Sequence, residues 1–201
     1  VPAGNPPADG QTRPAIVKIA TMDTAPNLVL IGPMGAGKTS IGKRLAERFG
    51  LAFVDADREV EAQTGVSIAT IFDCEGETGF RERERSVLAK LLEGRDRLIA
   101  TGGGAVLDAE SRALMRRHGF VVHLHVDVGG QLQRLARCTN RPLLQREDRE
   151  EVLRGLAAAR EPLYAETADL RFDTRDLSPA DATTHLAKLL AERWKPGAEA
   201  A

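Results

Sequence analysis

NLVLIGPMGAGKTSIGKRL, residues 27–45, decides the fold. An apolar block, 27–32, has the β-branched and leucine content of a fully buried strand. It runs into a glycine-rich turn and then into an amphipathic segment that reads as a helix over 38–49. The turn GPMGAGKT, 32–39, matches G-x-x-x-x-G-K-[ST], and the strand before it and helix after it are the context that gives this pattern meaning. Glycines let backbone N–H groups turn inward around phosphate oxygens, and the helix N-terminus adds its positive dipole end. Lys38 can reach the outer phosphates, and the Thr39 hydroxyl is placed to ligate Mg²⁺.

Further apolar runs lie at 51–56, 97–102, 121–126 and 170–174. Helical patterns fall between them, near 58–64, 67–74, 79–93, 108–118, 129–137, 149–161 and 179–194. Such alternation predicts βαβ units and a parallel sheet covered on both faces, an α/β fold. Ser67 and Asp108 stand where N-caps belong, and Gly50, Gly65, Gly94 and Gly119 follow helical stretches. The stretches 1–26 and 195–201 read as a disordered leader and tail around a single domain, 27–194. Within that domain, 57–93 is helical with no strand, and 138–149 is a polar loop.

Bulk properties exclude several classes. With a net charge of −1 there is no basic excess for nucleic acid, and 4% aromatic residues argue against a base-stacking platform. No apolar run approaches the ~20 residues that cross a bilayer. Cys74 and Cys138 have no metal-ligand spacing, which fits free thiols in a reducing cytoplasm. His118, His123, His125 and His185 form no ligand pattern with cysteines or acids; His123 and His125 alternate on one sheet face and read as structural. Tyr164 and Trp194 read as helix-packing residues.

Opposite the phosphate loop, FVDAD ends the second run, and Asp55 is the metal's best carboxylate. If the strand continues through Asp57, both carboxylates share one face; otherwise Asp57 caps the following helix. TGGG, 101–104, ends the third run, as close approach of a ligand or a tight turn would require. In the run 81–85, Arg81 and its i+4 neighbour Arg85 are of like sign and Glu82 has no cation at i+4, so such pairing explains it poorly. Most of these charges are expected to face water. Arg141 lies in the polar loop and Arg160 in a helix, and arginine suits bidentate grips on carboxylate or phosphate. With the phosphate loop and the Asp pair, a mobile lid delivering Arg141 is the better reading.

Taken in order, GPMGAGKTSIG, FVDADREVE, IFDCEGETGFRERE, ATGGGAV, NRPLL and REPLY resemble bacterial shikimate kinases, over residues 27–174. The resemblance implies a nucleoside-monophosphate-kinase-like, three-layer α/β/α fold with a five-stranded parallel sheet. Residues 57–93 would be its acceptor-binding region and 138–149 its lid. It implies Mg²⁺-dependent transfer of the ATP γ-phosphoryl group to the 3-hydroxyl of shikimate, on the route to chorismate. The sequence itself gives no sign of an oligomer interface, so a monomer is the default expectation. Gly35, Ala36, Gly37, Lys38, Thr39 and Ser40 would hold the nucleotide phosphates, with Arg134 near the adenine. Thr39 would ligate Mg²⁺ with support from Asp55, and Lys38 and Arg141 would bracket the transferring group. Asp57 would hold the acceptor hydroxyl. Arg81, oriented by Glu84, and Arg160 would clamp its carboxylate, with Gly102, Gly103 and Gly104 against the ring. Leu177 stands where some members offer adenine a cation, and either Arg175 or a backbone contact is the candidate substitute. The alternatives are another small-molecule P-loop kinase, for gluconate or a nucleoside monophosphate, and a nucleotide-binding regulator without catalysis.

Overall fold

A computed structural model describes residues 23–136 and 148–196. Its elements run β1 (Asp23–Ala25), β2 (Asn27–Ile31), α1 (Lys38–Phe49), β3 (Ala52–Asp55), α2 (Ala56–Thr64), α3 (Ile68–Glu93) and β4 (Arg97–Ala100). After a 3₁₀ turn at Ala105–Leu107 come α4 (Ala109–His118), β5 (Gly119–His125), α5 (Val128–Leu135), α6 (Arg149–Thr167), β6 (Leu170–Asp173), α7 (Pro179–Arg193) and β7 (Trp194–Pro196).

The five-stranded sheet has the order β3-β4-β2-β5-β6, and every pair is parallel. β2 is its centre, and all five of its residues are fully buried. Alternation divides them between two cores. Leu28 and Leu30 pack with Ile41, Leu45, Leu186 and Leu190 of α1 and α7, whereas Val29 and Ile31 pack with Val60, Leu88, Met115 and Tyr164 on the other face. The sheet is thus covered on both sides, as the strand–helix alternation requires. Strand order reverses around β2, so its carboxyl end opens into the crevice where such folds bind ligands.

Several boundaries differ from expectation. β3 ends at Asp55, whose carboxylate accepts from the Arg58 N–H as the N-cap of α2. Asp57 therefore sits in the first helical turn, neither on the strand nor as the cap. Ser67 and Asp108 cap α3 and α4 through the Thr70 and Ser111 N–H groups. Gly50 and Gly65 end their helices in the left-handed conformation, while Gly94 and Gly119 are extended. The two helical stretches of 67–93 join end to end across a break at Gly76 (φ 68°, ψ −171°). Structure also begins earlier and ends later than the polar termini indicate: β1 pairs in parallel with β7, and the Trp194 indole N–H donates to the Ala25 carbonyl at 3.1 Å. Trp194 packs edge-on against Phe49 (centroids 5.8 Å apart), so it is a seam residue between α1 and the added strand pair. Among the described residues no helix is long and apolar enough to cross a membrane. Cys74 is an exposed free thiol, and Cys138 lies outside the described residues.

Candidate active site

The loop between β2 and α1 is shaped by positive φ at Gly32 (139°), Gly35 (79°) and Gly37 (93°). At Gly32 the requirement is also steric: a Cβ would run into the Leu124 carbonyl of β5. Gly37 is the left-handed N-cap of α1, so the helix opens directly onto the loop. A cavity of about 410 Å³ sits there, lined by Gly35, Ala36, Gly37, Lys38, Thr39, Ser40, Arg134, Leu135, Thr174, Leu177 and Pro179. The Lys38 ammonium donates to the Gly32 and Pro33 carbonyls at 2.6 and 2.9 Å, which holds it over the loop. Arg134 bridges the loop to the end of β6, donating to the Gly35 carbonyl (3.0 Å), the Thr174 hydroxyl (2.9 Å) and the Thr174 carbonyl. Arg175 is held by Asp173 (2.7 Å) and Asp127 (3.4 Å), while the apolar Leu177 lines the cavity.

A second cavity of about 200 Å³ adjoins the first and shares Lys38 and Thr39 with it. Its walls bring together Asp55, Asp57, Arg81, Glu84, Gly102, Gly103, Gly104 and Arg160, with Phe72 and Phe80 as apolar sides. These come from β3, α2, α3, the turn after β4, and α6. Thr39 donates to Asp55 at 3.0 Å, so a hydroxyl and a carboxylate stand side by side where the two cavities meet. Hard oxygen donors of this kind suit Mg²⁺. The Asp57 carboxylate lies against Gly102: a Cβ there would be 2.6 Å from Asp57 Oδ1 and 2.7 Å from Glu84 Oε1. The glycine turn thus admits close approach of side chains as well as room for a ligand.

Arg81 and Glu84 turn inward, Glu82 and Arg83 face water, and Arg85 is half-buried. Pairing does organise this run, through Arg81–Glu84 within it and through partners outside it. Arg81 meets Glu84 at 2.5 Å and Glu77 at 3.1 Å; Arg83 meets Glu75 at 2.6 Å; Arg85 meets Asp108 and Glu110 at 3.3 and 3.2 Å. Glu84 is almost completely buried. Burial pushes its carboxyl up; Arg81 opposes that shift, and the nearby Asp57 and Asp108 carboxylates reinforce it. On the opposite wall, Arg160 Nη1 donates to the Gly103 carbonyl at 3.3 Å. Tyr164, one helical turn on, donates to the same carbonyl at 2.6 Å, and burial pushes its hydroxyl up to about 12. Tyr164 therefore fixes the glycine turn, a role its reading as a packing residue did not include.

His123 is fully buried, and its ring stacks on Tyr164 with centroids 4.7 Å apart. Burial, then the nearby positive groups His125, Arg171 and Lys38, lower its pKa to about 4. The two strand histidines do have an acid beside them: Glu161 of α6 lies 3.9 Å from His123 and 3.5 Å from His125. Glu161 lies more than 30 positions along the chain from either histidine, so spacing gave no sign of it. Arg141 lies outside the described residues.

A parallel sheet with a glycine-rich phosphate loop at its switch point, a hydroxyl–carboxylate pair for a cation and a basic cavity alongside define a P-loop phosphotransferase of the small-molecule kinase class. Comparison with known proteins narrows the class. The family model for shikimate kinase matches residues 34–191. A shikimate kinase of Stenotrophomonas maltophilia (strain R551-3) is 61% identical over 174 residues, 87% of this chain and 97% of the relative. One from Xanthomonas campestris pv. campestris (strain 8004) is 58% identical over the same shares. Among solved structures, shikimate kinase from Acinetobacter baumannii in complex with shikimate superposes with a TM-score of 0.79 at 45% identity, covering 84% of this chain and 94% of that one. The chain belongs to the shikimate kinase family.

Proposed function

We infer that this chain transfers the γ-phosphoryl group of ATP to the 3-hydroxyl of shikimate, giving shikimate 3-phosphate and ADP on the route to chorismate. The observation that carries the reading is the second cavity, which two arginines from different elements, Arg81 and Arg160, line together with Asp57 and the Gly102–Gly104 turn beside the phosphate loop. A compact ring bearing one carboxylate and several hydroxyls matches that charge distribution. Family membership, and a relative at 45% identity solved with shikimate bound, point the same way.

In this reading the loop of Gly35–Ser40 cradles the ATP phosphates and Lys38 turns from the loop carbonyls to the γ-oxygens. Arg134, Leu177 and Pro179 border the base. Thr39 and Asp55 would hold Mg²⁺, which neutralises charge on the phosphate oxygens when bound. Arg81 and Arg160 grip the acceptor carboxylate, with Glu84 and Tyr164 fixing the geometry around them. The acceptor hydroxyl, held by Asp57, forms a bond to the γ-phosphorus while the bond to the bridging oxygen breaks, and ADP leaves with that electron pair. The hydroxyl proton passes toward Asp57. A loose transition state asks little of a base, so Asp57 acts first by orientation. Arg141 would bracket the group in flight from the lid. The reading includes a cytoplasmic monomer without nucleic-acid partners.

A coupled ADP-release assay with shikimate, gluconate and nucleoside monophosphates side by side tests the proposal. Turnover with shikimate alone is expected. Turnover with another acceptor instead would assign a different kinase, and release with none would leave a nucleotide-binding regulator.

A further inference from the structure

Phosphoryl transfer makes no use of the group formed where β5 meets α6. His123 and His125 project from one side of β5 toward Glu161. Nε2 of His123 lies 3.9 Å from one carboxylate oxygen of Glu161, and Nδ1 of His125 lies 3.5 Å from the other. One ligand-type atom from each residue falls within 4.8 Å of the other two. The His123 side chain is 0% exposed, yet neither of its ring nitrogens has a hydrogen-bond partner among the described residues, and Nδ1 of His125 also has none. Buried imidazoles ordinarily place their N–H on a carbonyl or carboxylate. Here the ring points at a carboxylate but stands outside hydrogen-bond reach, which is the spacing of ligands that share an ion.

We propose that His123, His125 and Glu161 form a binding site for a transition-metal cation of the Zn²⁺ class. Two imidazoles and one carboxylate select such ions over Mg²⁺, which prefers oxygen alone. Metal–ligand bonds of about 2.0–2.2 Å place neighbouring donor atoms of a tetrahedral site roughly 3.3 Å apart. The two histidine–carboxylate separations, 3.9 and 3.5 Å, need only a small contraction to reach that. His125 and Glu161 also line a cavity of about 390 Å³, which supplies an entry path and room for a fourth ligand. Arg171 opposes the ion: its guanidinium lies 3.5 Å from the same Glu161 carboxylate. It is about half exposed (52%) and can swing into water when the carboxylate turns to the metal. Lys38 adds a more distant positive charge near His123. The site is separate from the Thr39–Asp55 oxygen pair. It has a lever on the acceptor cavity, because Glu161 follows Arg160 in α6 and the His123 ring stacks on Tyr164. An ion here would pin α6 to β5 beneath the arginine that faces the acceptor.

The inference does not depend on the proposed reaction, and its test reads the histidine rings directly. The full chain, free of nucleotide, is titrated with ZnCl₂ while the imidazole ¹⁵N resonances are followed by NMR. The ring nitrogens of His123 and His125 are expected to shift together and saturate at one equivalent, with His118 and His185 unmoved. Zinc captured by Cys74 would not register in this readout. MgCl₂ should leave all four rings in place. Glu161→Gln is expected to weaken the transition at least tenfold, and His125→Ala to remove the His123 response. If His125→Ala fails to fold, Glu161→Gln decides alone. Zinc that leaves His123 unshifted, or that binds Glu161→Gln as tightly as the unaltered chain, would overturn the site.

Discussion

The two cavities of the candidate site are built in opposite ways. The proposed donor side is mostly one continuous stretch, Gly35 to Ile41, where the loop runs into the amino end of α1. The acceptor side is made of side chains drawn from β3, α2, α3, the turn after β4 and α6, held by contacts such as Arg81–Glu84 and Tyr164–Gly103. A backbone cradle recognises what every nucleoside triphosphate has in common. A cage of side chains from five elements can be varied one residue at a time, and in the proposed reaction it carries the choice of acceptor. The halves meet at Lys38 and Thr39, which line both.

If that division is right, changes on the acceptor side leave nucleotide binding intact. The largest effect is expected from Asp57→Ala, with turnover down by about three orders of magnitude through loss of hydroxyl positioning and proton acceptance. Calorimetry should find ATP affinity within about twofold of the original, since Asp57 touches only the acceptor cavity; collapse of ATP binding would merge the two halves. Next, Arg81→Ala removes a charge-assisted grip of about 1.5–3 kcal/mol, so the KM for shikimate is expected to rise roughly 10- to 100-fold. Its kcat and its KM for ATP should change far less in steady-state kinetics.

How much of this was legible follows the same division. GPMGAGKT could be read because its chemistry is contiguous, and β2 could be read because buried strands are continuously apolar. The acceptor cage could be named only through resemblance, since what makes it a cage is contact across large sequence separations. Tyr164 reaches the Gly103 carbonyl 61 residues away, and no local pattern reports that. Charge periodicity in 81–85 was visible, but the partners Glu75, Glu77 and Asp108 lie outside the run, so the inward turn of Arg81 and Glu84 was not. Likewise, β7 follows a helix without a break, and its partner β1 sits next to a polar leader, which hid a strand pair that only tertiary contact creates.

Burial raises the Glu84 pKa above 4.5, so as pH falls through that raised value the carboxylate is neutralised and its hold on Arg81 weakens. The same shift means the folded state keeps this proton better than the unfolded chain. Glu84 therefore lowers stability as pH rises from 4.5 through its raised pKa, and the effect is level above it. An acid-side decline in kcat/KM for shikimate is expected. Glu84→Gln should lower the plateau and remove the Glu84 contribution to that decline; an identical profile in both proteins would detach Glu84 from Arg81. Least costly is Tyr164→Phe, which deletes one hydrogen bond to the Gly103 carbonyl. A loss of about 1 kcal/mol in denaturant unfolding is expected. A rise of roughly threefold in the shikimate KM should accompany it, because about 0.7 kcal/mol of grip through Arg160 is lost as the turn loosens.

In the proposed reaction the acceptor is chosen by its carboxylate, held by Arg81 and Arg160. This choice is tested most directly by comparing shikimate with its methyl ester as acceptors for the unaltered chain and for Arg81→Ala. The ester is expected to be a far poorer substrate for the unaltered chain, and Arg81→Ala to penalise the acid heavily and the ester scarcely at all. An equal penalty for acid and ester would contradict this, because Arg81 would then be supporting the cavity and not reading the carboxylate.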